Sequence, residues 1–204
     1  ALAAAGMLQL REALAAGGTG QGSTVGYDPG LHTLDEIEAL GSAIAAAGLT
    51  LSARPGLIDR VWGRERPALP VGRVTVHPAR YAGVAADRKI LEVQRLLKAD
   101  KQDGVLLTLT DSIAWLFNIR GADVAHNPVV LAFAYVPAEG LPDLYIDADK
   151  LDARASDHLT KLARIAPAAE LMARLAALKA AKVRIRIDTA SAAIRFVTAL
   201  GGGK

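Results

Sequence analysis

One short segment fixes the class of fold before the rest of the chain is read. Thr33-Leu34-Asp35-Glu36 is a capping box, in which Thr33 and Glu36 satisfy each other's exposed backbone N–H groups at a helix start. Leu34, Ile37, Leu40 and Ile44 follow at helical spacing, and Gly48 stands at the position that closes a helix. Val25–Asp28 before this helix and Leu49–Ser52 after it read as short strands. A β–α–β opening of this kind commits the chain to the α/β class.

The remainder alternates in the same way. Asp87 is placed to cap a helix with Ile90, Val93 and Leu97 on one face, and Gly104 closes the turn after it. Val105–Thr110 is a buried-type strand, and Asp111 starts a short helix through Phe117. Val129–Val136 and Leu144–Asp147 predict an antiparallel hairpin. Ser156 caps a helix to Ile165, and Pro167 suits the first turn of another through Ala180. Val183, Ile185 and Ile187 alternate with Arg184 and Arg186 in a half-buried strand, and Ser191–Leu200 makes a last helix. The expectation is a layered α/β/α domain with a mixed β-sheet, with 105–109, 129–136 and 183–187 in the sheet. Residues 53–83 carry Pro55, Pro67, Pro70 and Pro78 without a sustained period, and predict an ordered strap with Trp62 packed beneath it.

Composition sets the outer limits. Of 204 residues 51% are hydrophobic and 22% charged, so global disorder is excluded. The net charge of +3 is too small an excess for a nucleic-acid binder. No apolar run reaches the ~20 residues a membrane span needs, which argues against a membrane partner. The absence of cysteine excludes disulfides, thiolate zinc sites and cysteine nucleophiles, and fits a reducing, cytoplasmic setting. Residues 1–16 read as an alanine-rich helix and Gly17–Gly22 as a linker. The order helix, glycines, strand is the reverse of what a dinucleotide loop requires. Residues 1–22 are therefore expected to be a linker or remnant of a preceding segment, with 23–204 as one domain. The missing initiator Met predicts excision from a longer protein.

Conventional catalytic patterns are lacking. His32, His77, His126 and His158 are isolated, and none forms the i, i+4 pair of a helical zinc site. Asp143, Asp147 and Asp149 have the chemistry to hold Mg²⁺, but a solvated strand end explains them at least as well. Asp28, Asp147 and Asp188 are the acidic trio that a nuclease-like metal enzyme would need at adjacent strand ends. There is no Gly-x-Ser-x-Gly elbow and no phosphate-binding loop. Arg95, Lys98 and Lys101 read as a solvated helix face. The densest polar constellation is 111–128, where Trp115, Asn118, Arg120, Asp123, His126 and Asn127 fall within one short connection before Pro128.

That run, Asp111-Ser-Ile-Ala-Trp-Leu-Phe-Asn-Ile-Arg-Gly-Ala-Asp123 with His126-Asn-Pro128, resembles the three-domain Xaa-Pro aminopeptidases. Val25-Gly-Tyr-Asp-Pro29, Leu31-His-Thr33, Leu57-Ile-Asp59, Val61-Trp62, Arg66-Pro67, Tyr81-Ala-Gly83 with Lys89, Leu144-Tyr-Ile-Asp147 and Lys150-Leu151 continue the likeness in the same order. Gly56 departs from the family's usual Asn, and Gly30 from a bulkier residue. The resemblance implies a creatinase/prolidase N-terminal-like fold and a central, non-catalytic domain. It implies a C-terminal catalytic domain as partner, a homodimer, and a peptide substrate with proline in second position. The resemblance also implies two Mn²⁺ or similar divalent ions in that other domain, whose bridging hydroxide attacks the scissile carbonyl. No catalytic residue, metal ligand or cofactor is assigned to this chain, which is expected to be inactive alone. More distantly the region resembles creatinase, whose corresponding edge touches substrate across a subunit boundary. This implies a substrate-cleft edge at His126 and Asn127, with Asn118, Arg120 and Asp123 beneath and Arg120 paired to Asp123. The competing expectation is a free-standing α/β module that binds a small ligand or partner.

Overall fold

The structure is a computed structural model and describes residues 22–202. The expected helix at 1–16 and nearly all of the glycine linker lie outside the described residues. Strand β1 (Thr24–Tyr27), helix α1 (Leu34–Ala46) and strand β2 (Thr50–Ala53) form the expected opening unit. Glu36 donates its backbone N–H to the Thr33 hydroxyl at 3.2 Å, and the Glu36 carboxylate accepts the Thr33 N–H at 3.0 Å. At the other end Gly48 adopts φ +72° and donates to Ala45 O, while Leu49 donates to Ile44 O. These crossed bonds satisfy carbonyls that the helix end would otherwise orphan, and glycine takes the positive φ without steric cost. β1 and β2 pair in parallel, Val25 opposite Leu51. Ile37, Leu40, Ile44 and Leu49 make a small core under this unit, closed by Ile194.

The 53–83 segment has more regular structure than expected. It forms α2 (Leu57–Trp62), a 3₁₀ turn at Gly63–Glu65, β3 (Thr75–Val76) and α3 (Ala79–Ala82). Trp62 is 49% exposed, which corrects the expectation that it is packed. The short α2 buries none of its residues, and it turns Ile58, Val61 and Trp62 outward together.

The main body is built on a five-stranded sheet in the order β8–β7–β6–β4–β9. After α4 (Ala86–Ala99) come β4 (Gly104–Leu107), α5 (Thr110–Phe117) and β5 (Ile119–Arg120), which pairs with β3. Then follow β6 (Phe133–Pro137), β7 (Asp143–Tyr145), α6 (Ala153–Leu159), β8 (Arg164–Ala166), α7 (Leu171–Ala180), β9 (Ile185–Arg186) and α8 (Ile194–Ala199). β6 runs antiparallel to both neighbours, whereas β7–β8 and β4–β9 are parallel, so the sheet is mixed. Alternation along the strands feeds two cores. Ala134, Val136 and Leu144 meet α5 and α6 through Ile113, Phe117 and Leu159. Leu106, Tyr135 and Tyr145 meet α7 and α8 through Leu175 and Phe196. The layered α/β/α architecture thus follows from the two-residue period of side chains on a strand.

Several boundaries shift for local reasons. Asp152, not Ser156, caps α6, accepting the Ala155 N–H at 2.8 Å. The helix ends correspondingly early, and 164–166 is released to pair with β7. Asp87 and Asp111 lie inside first turns, not at the caps, where their charge still favours the helix N-terminus. Asp188 holds the Ser191 hydroxyl and the Ala190 N–H, and Ala193 bridges Thr33, so α8 begins only at Ile194. The opening unit is joined to this helix by Ile194 N–H to His32 O at 2.8 Å and Arg195 N–H to Pro29 O at 3.0 Å.

Candidate functional site

The 111–128 connection begins where α5 stops. Asn118 takes the helix cap in the left-handed region, φ 52° and ψ 51°, a conformation asparagine tolerates better than most residues. Its side chain is buried and hydrogen-bonded at both ends. Oδ1 accepts from Lys89 Nζ at 2.8 Å and Nδ2 donates to Val84 O at 2.9 Å. Its main-chain carbonyl accepts the His77 N–H at 2.7 Å. Lys89 also donates to Trp115 O at 2.8 Å and lies 4.3 Å from the Trp115 ring centroid, a cation–π contact. Burial holds the Lys89 ammonium below the ordinary lysine pKa, and the nearby Arg120 charge adds to this.

Asp123 organises the second half. Its side chain is wholly buried. Oδ1 accepts the Gly72 N–H at 2.9 Å, while Oδ2 accepts the Leu131 N–H and Lys150 Nζ, both at 2.7 Å. One carboxylate therefore ties the strap, the entry to β6 and the 3₁₀ turn at Ala148–Lys150. The expected Arg120–Asp123 pair is not formed. Arg120 sits half-buried on β5 and donates to Ile119 O at 3.3 Å, while Lys150 occupies the place beside Asp123. Backbone crowding explains the glycine between them, since a Cβ on Gly121 would stand 2.6 Å from Val129 O.

Above this base the chain makes a tight turn. Asn127 donates its N–H to Val124 O at 3.1 Å, Val129 donates to Asn127 O at 2.8 Å, and His126 has φ 62°. His126 and Asn127 are exposed. The five predicted residues thus divide. Asn118 and Asp123 are buried framework, Arg120 is intermediate, and His126 and Asn127 stand on an exposed tip. The lysines that complete the framework, Lys89 and Lys150, were not singled out from spacing or charge. Lys89 does carry a signal, because it stands three residues after Ala86 and four before Val93, on the apolar stripe of α4.

The acidic clusters are otherwise engaged. Asp143 is buried and accepts from Arg164 Nε at 2.8 Å, Arg174 Nε at 3.1 Å and the Tyr145 hydroxyl at 3.3 Å. Burial, reinforced by the Asp143 charge, pushes the Tyr145 hydroxyl up to about 12. Asp147 accepts the Asp149 N–H at 3.0 Å, and Asp28 accepts the N–H groups of Gly30 and Gly56 at 2.7 and 2.8 Å. Among the described residues no three His, Asp or Glu side chains converge to hold a metal ion.

A mixed sheet between helical layers, carrying an exposed turn on a buried ionic base, defines a layered α/β domain. Residues 65–204 match the Creatinase/Prolidase N-terminal domain, and the chain belongs to that family. A probable Xaa-Pro aminopeptidase P from Aspergillus flavus is 38% identical over 171 residues, 83% of this chain and 26% of that protein. Its counterpart from Aspergillus niger is 37% identical over 177 residues, 86% of this chain and 28% of that protein. Among solved structures, the X-prolyl aminopeptidase of Caenorhabditis elegans, described as a cytosolic enzyme with a di-nuclear active site, superposes with a TM-score of 0.75 at 29% identity. The superposition covers 87% of this chain and 29% of that one. The chain thus spans between a quarter and a third of the length of these relatives.

Proposed function

We propose that this chain is the non-catalytic central domain of a metal-dependent Xaa-Pro aminopeptidase, with residues 23–204 acting as one unit. It packs on a C-terminal catalytic domain, shapes the approach of peptides carrying proline second, and supports a cytoplasmic homodimer. The two divalent ions, Mn²⁺ or similar, belong to the catalytic domain, and no chemical step is assigned to a metal on this chain. The observation that carries the reading is the turn at 124–127. Asp123 and Lys150 fix its base and Pro128 restricts its exit, so His126 and Asn127 are held outward. An imidazole at the tip offers one hydrogen bond to a peptide, and the Asn127 amide offers both a donor and an acceptor to its backbone.

The test is reconstitution. The chain is co-expressed with the catalytic portion of the same protein, and Xaa-Pro cleavage is compared with that of the catalytic portion alone. Co-purification with an altered peptide-length preference supports the reading. Failure to associate, with unchanged cleavage, rejects it.

A further inference from the structure

A cavity of about 510 Å³ opens at the sheet edge where β4, β7 and β8 end and β6 begins. Ligands of α/β proteins commonly occupy this position, outside the carboxyl ends of parallel strands, and this volume suits a small molecule. Leu131, Phe133 and Ile146 give it apolar walls, and the 53–83 strap contributes Leu69 and Pro70.

Its polar groups are few, and most of them have donors to spare. The Lys150 side chain is only 5% exposed and gives one hydrogen bond, to Asp123, which leaves two ammonium hydrogens on a cavity-lining group. The Thr108 and Thr110 hydroxyls have no hydrogen-bond partner among the described residues, nor has the Arg195 guanidinium, which lies over the Phe196 ring at 4.6 Å. Asp28, whose charge Arg195 feels, is already occupied by the Gly30 and Gly56 N–H groups. Arg66 is engaged by Asp59 at 3.3 Å. Asp147 is the one carboxylate lining the cavity, and one of its oxygens accepts the Asp149 N–H.

We propose that this cavity binds a small monocarboxylate on an apolar body. The carboxylate oxygens are taken by Lys150, Arg195 and a threonine hydroxyl, and the alkyl part lies against Leu131, Phe133 and Ile146. Charge-assisted hydrogen bonds from two cations favour the acid over its neutral amide. Asp147 disfavours a second negative charge. The site shares Lys150 with the base of the 124–127 turn but does not rest on the peptidase reading, because it needs no residue of the turn itself.

The experiment is a titration of the 204-residue chain with isocaproate, followed by backbone amide NMR. Saturable shifts are expected at Thr108, Thr110, Leu131–Phe133 and Asp147, with a dissociation constant on the order of 1–10 mM. Isocaproamide is expected to bind at least ~10-fold more weakly, and Arg195→Gln to weaken isocaproate about tenfold while keeping the spectral dispersion of the unaltered chain. Equal response to acid and amide overturns the proposal. So do unchanged affinity in Arg195→Gln, shifts confined to other regions, and no saturable response.

Discussion

Lys150 Nζ stands 2.7 Å from the Asp123 carboxylate, and both side chains are enclosed by protein although 27 residues separate them in the chain. Taking two charges out of water is costly, and the cost is offset only where geometry is good and the remaining lone pairs are used. Here the Gly72 and Leu131 N–H groups use them. The pair is the fastener of the whole 121–131 excursion.

Removing one partner leaves the other charge buried and unmatched. Lys150→Met is expected to lower unfolding free energy by about 3–5 kcal/mol in urea denaturation. Asp123→Asn combined with Lys150→Met should cost clearly less than the two single changes added together, because the second change removes the stranded charge. Additive losses would show that the two side chains are not coupled.

His126→Ala in a full-length enzyme carrying this domain is expected to reduce kcat/KM for an Xaa-Pro peptide roughly threefold to tenfold. This is the loss of one neutral hydrogen bond of about 0.5–1.5 kcal/mol. Its melting temperature should be nearly unchanged, since the side chain is exposed. A lowered melting temperature with unaltered kinetics would make His126 a fold-supporting residue instead.

The isolated chain is expected to show no aminopeptidase activity and no stoichiometric Mn²⁺ in equilibrium dialysis. Chelator-sensitive Xaa-Pro cleavage by the purified chain, restored by Mn²⁺, would refute this.

Acid should loosen the opening unit first. The N–H groups of Gly30 and Gly56 hold the Asp28 carboxyl below its ordinary value, and Arg195 and His32 add their charges. The folded pKa thus lies below the unfolded value of about 3.9. The stabilisation is complete above that value and is lost as pH falls through the folded pKa. Asp28→Asn should cost about 1 kcal/mol at neutral pH and flatten the decline in stability below about pH 4. A wild-type decline of the same steepness in the variant would exclude Asp28 as its source.

Features set by a few neighbouring residues were legible in the sequence. The Thr33–Glu36 box and the Gly48 closure need only the residues around them, and both formed as expected. Two strand-like runs joined by a Pro/Gly-containing connection predicted the β6–β7 hairpin, and the alternation of helices and strands predicted the layered class. Competition between equivalent local signals hid other elements. Asp152 and Ser156 are both competent caps, and only the pairing of 164–166 with β7 shows which one starts α6. The site was half legible. Its polar density marked the 111–128 connection, but the partner of Asp123 comes from a distant turn that no local spacing announces. Trp62 misled because a bulky aromatic ordinarily signals burial, whereas α2 carries it on a face open to solvent.

Asn118 has a consequence for what evolution can do at that position. The backbone there demands left-handed torsions, and the side chain must accept from Lys89 while donating to Val84 O. Glycine would supply the torsions and forfeit both contacts. Aspartate would keep the lysine and present a second acceptor to the Val84 carbonyl. Glutamine would retain the amide on a stem one methylene longer, on a backbone it adopts reluctantly. The position has in effect a single chemical solution. This one residue is closed to exchange.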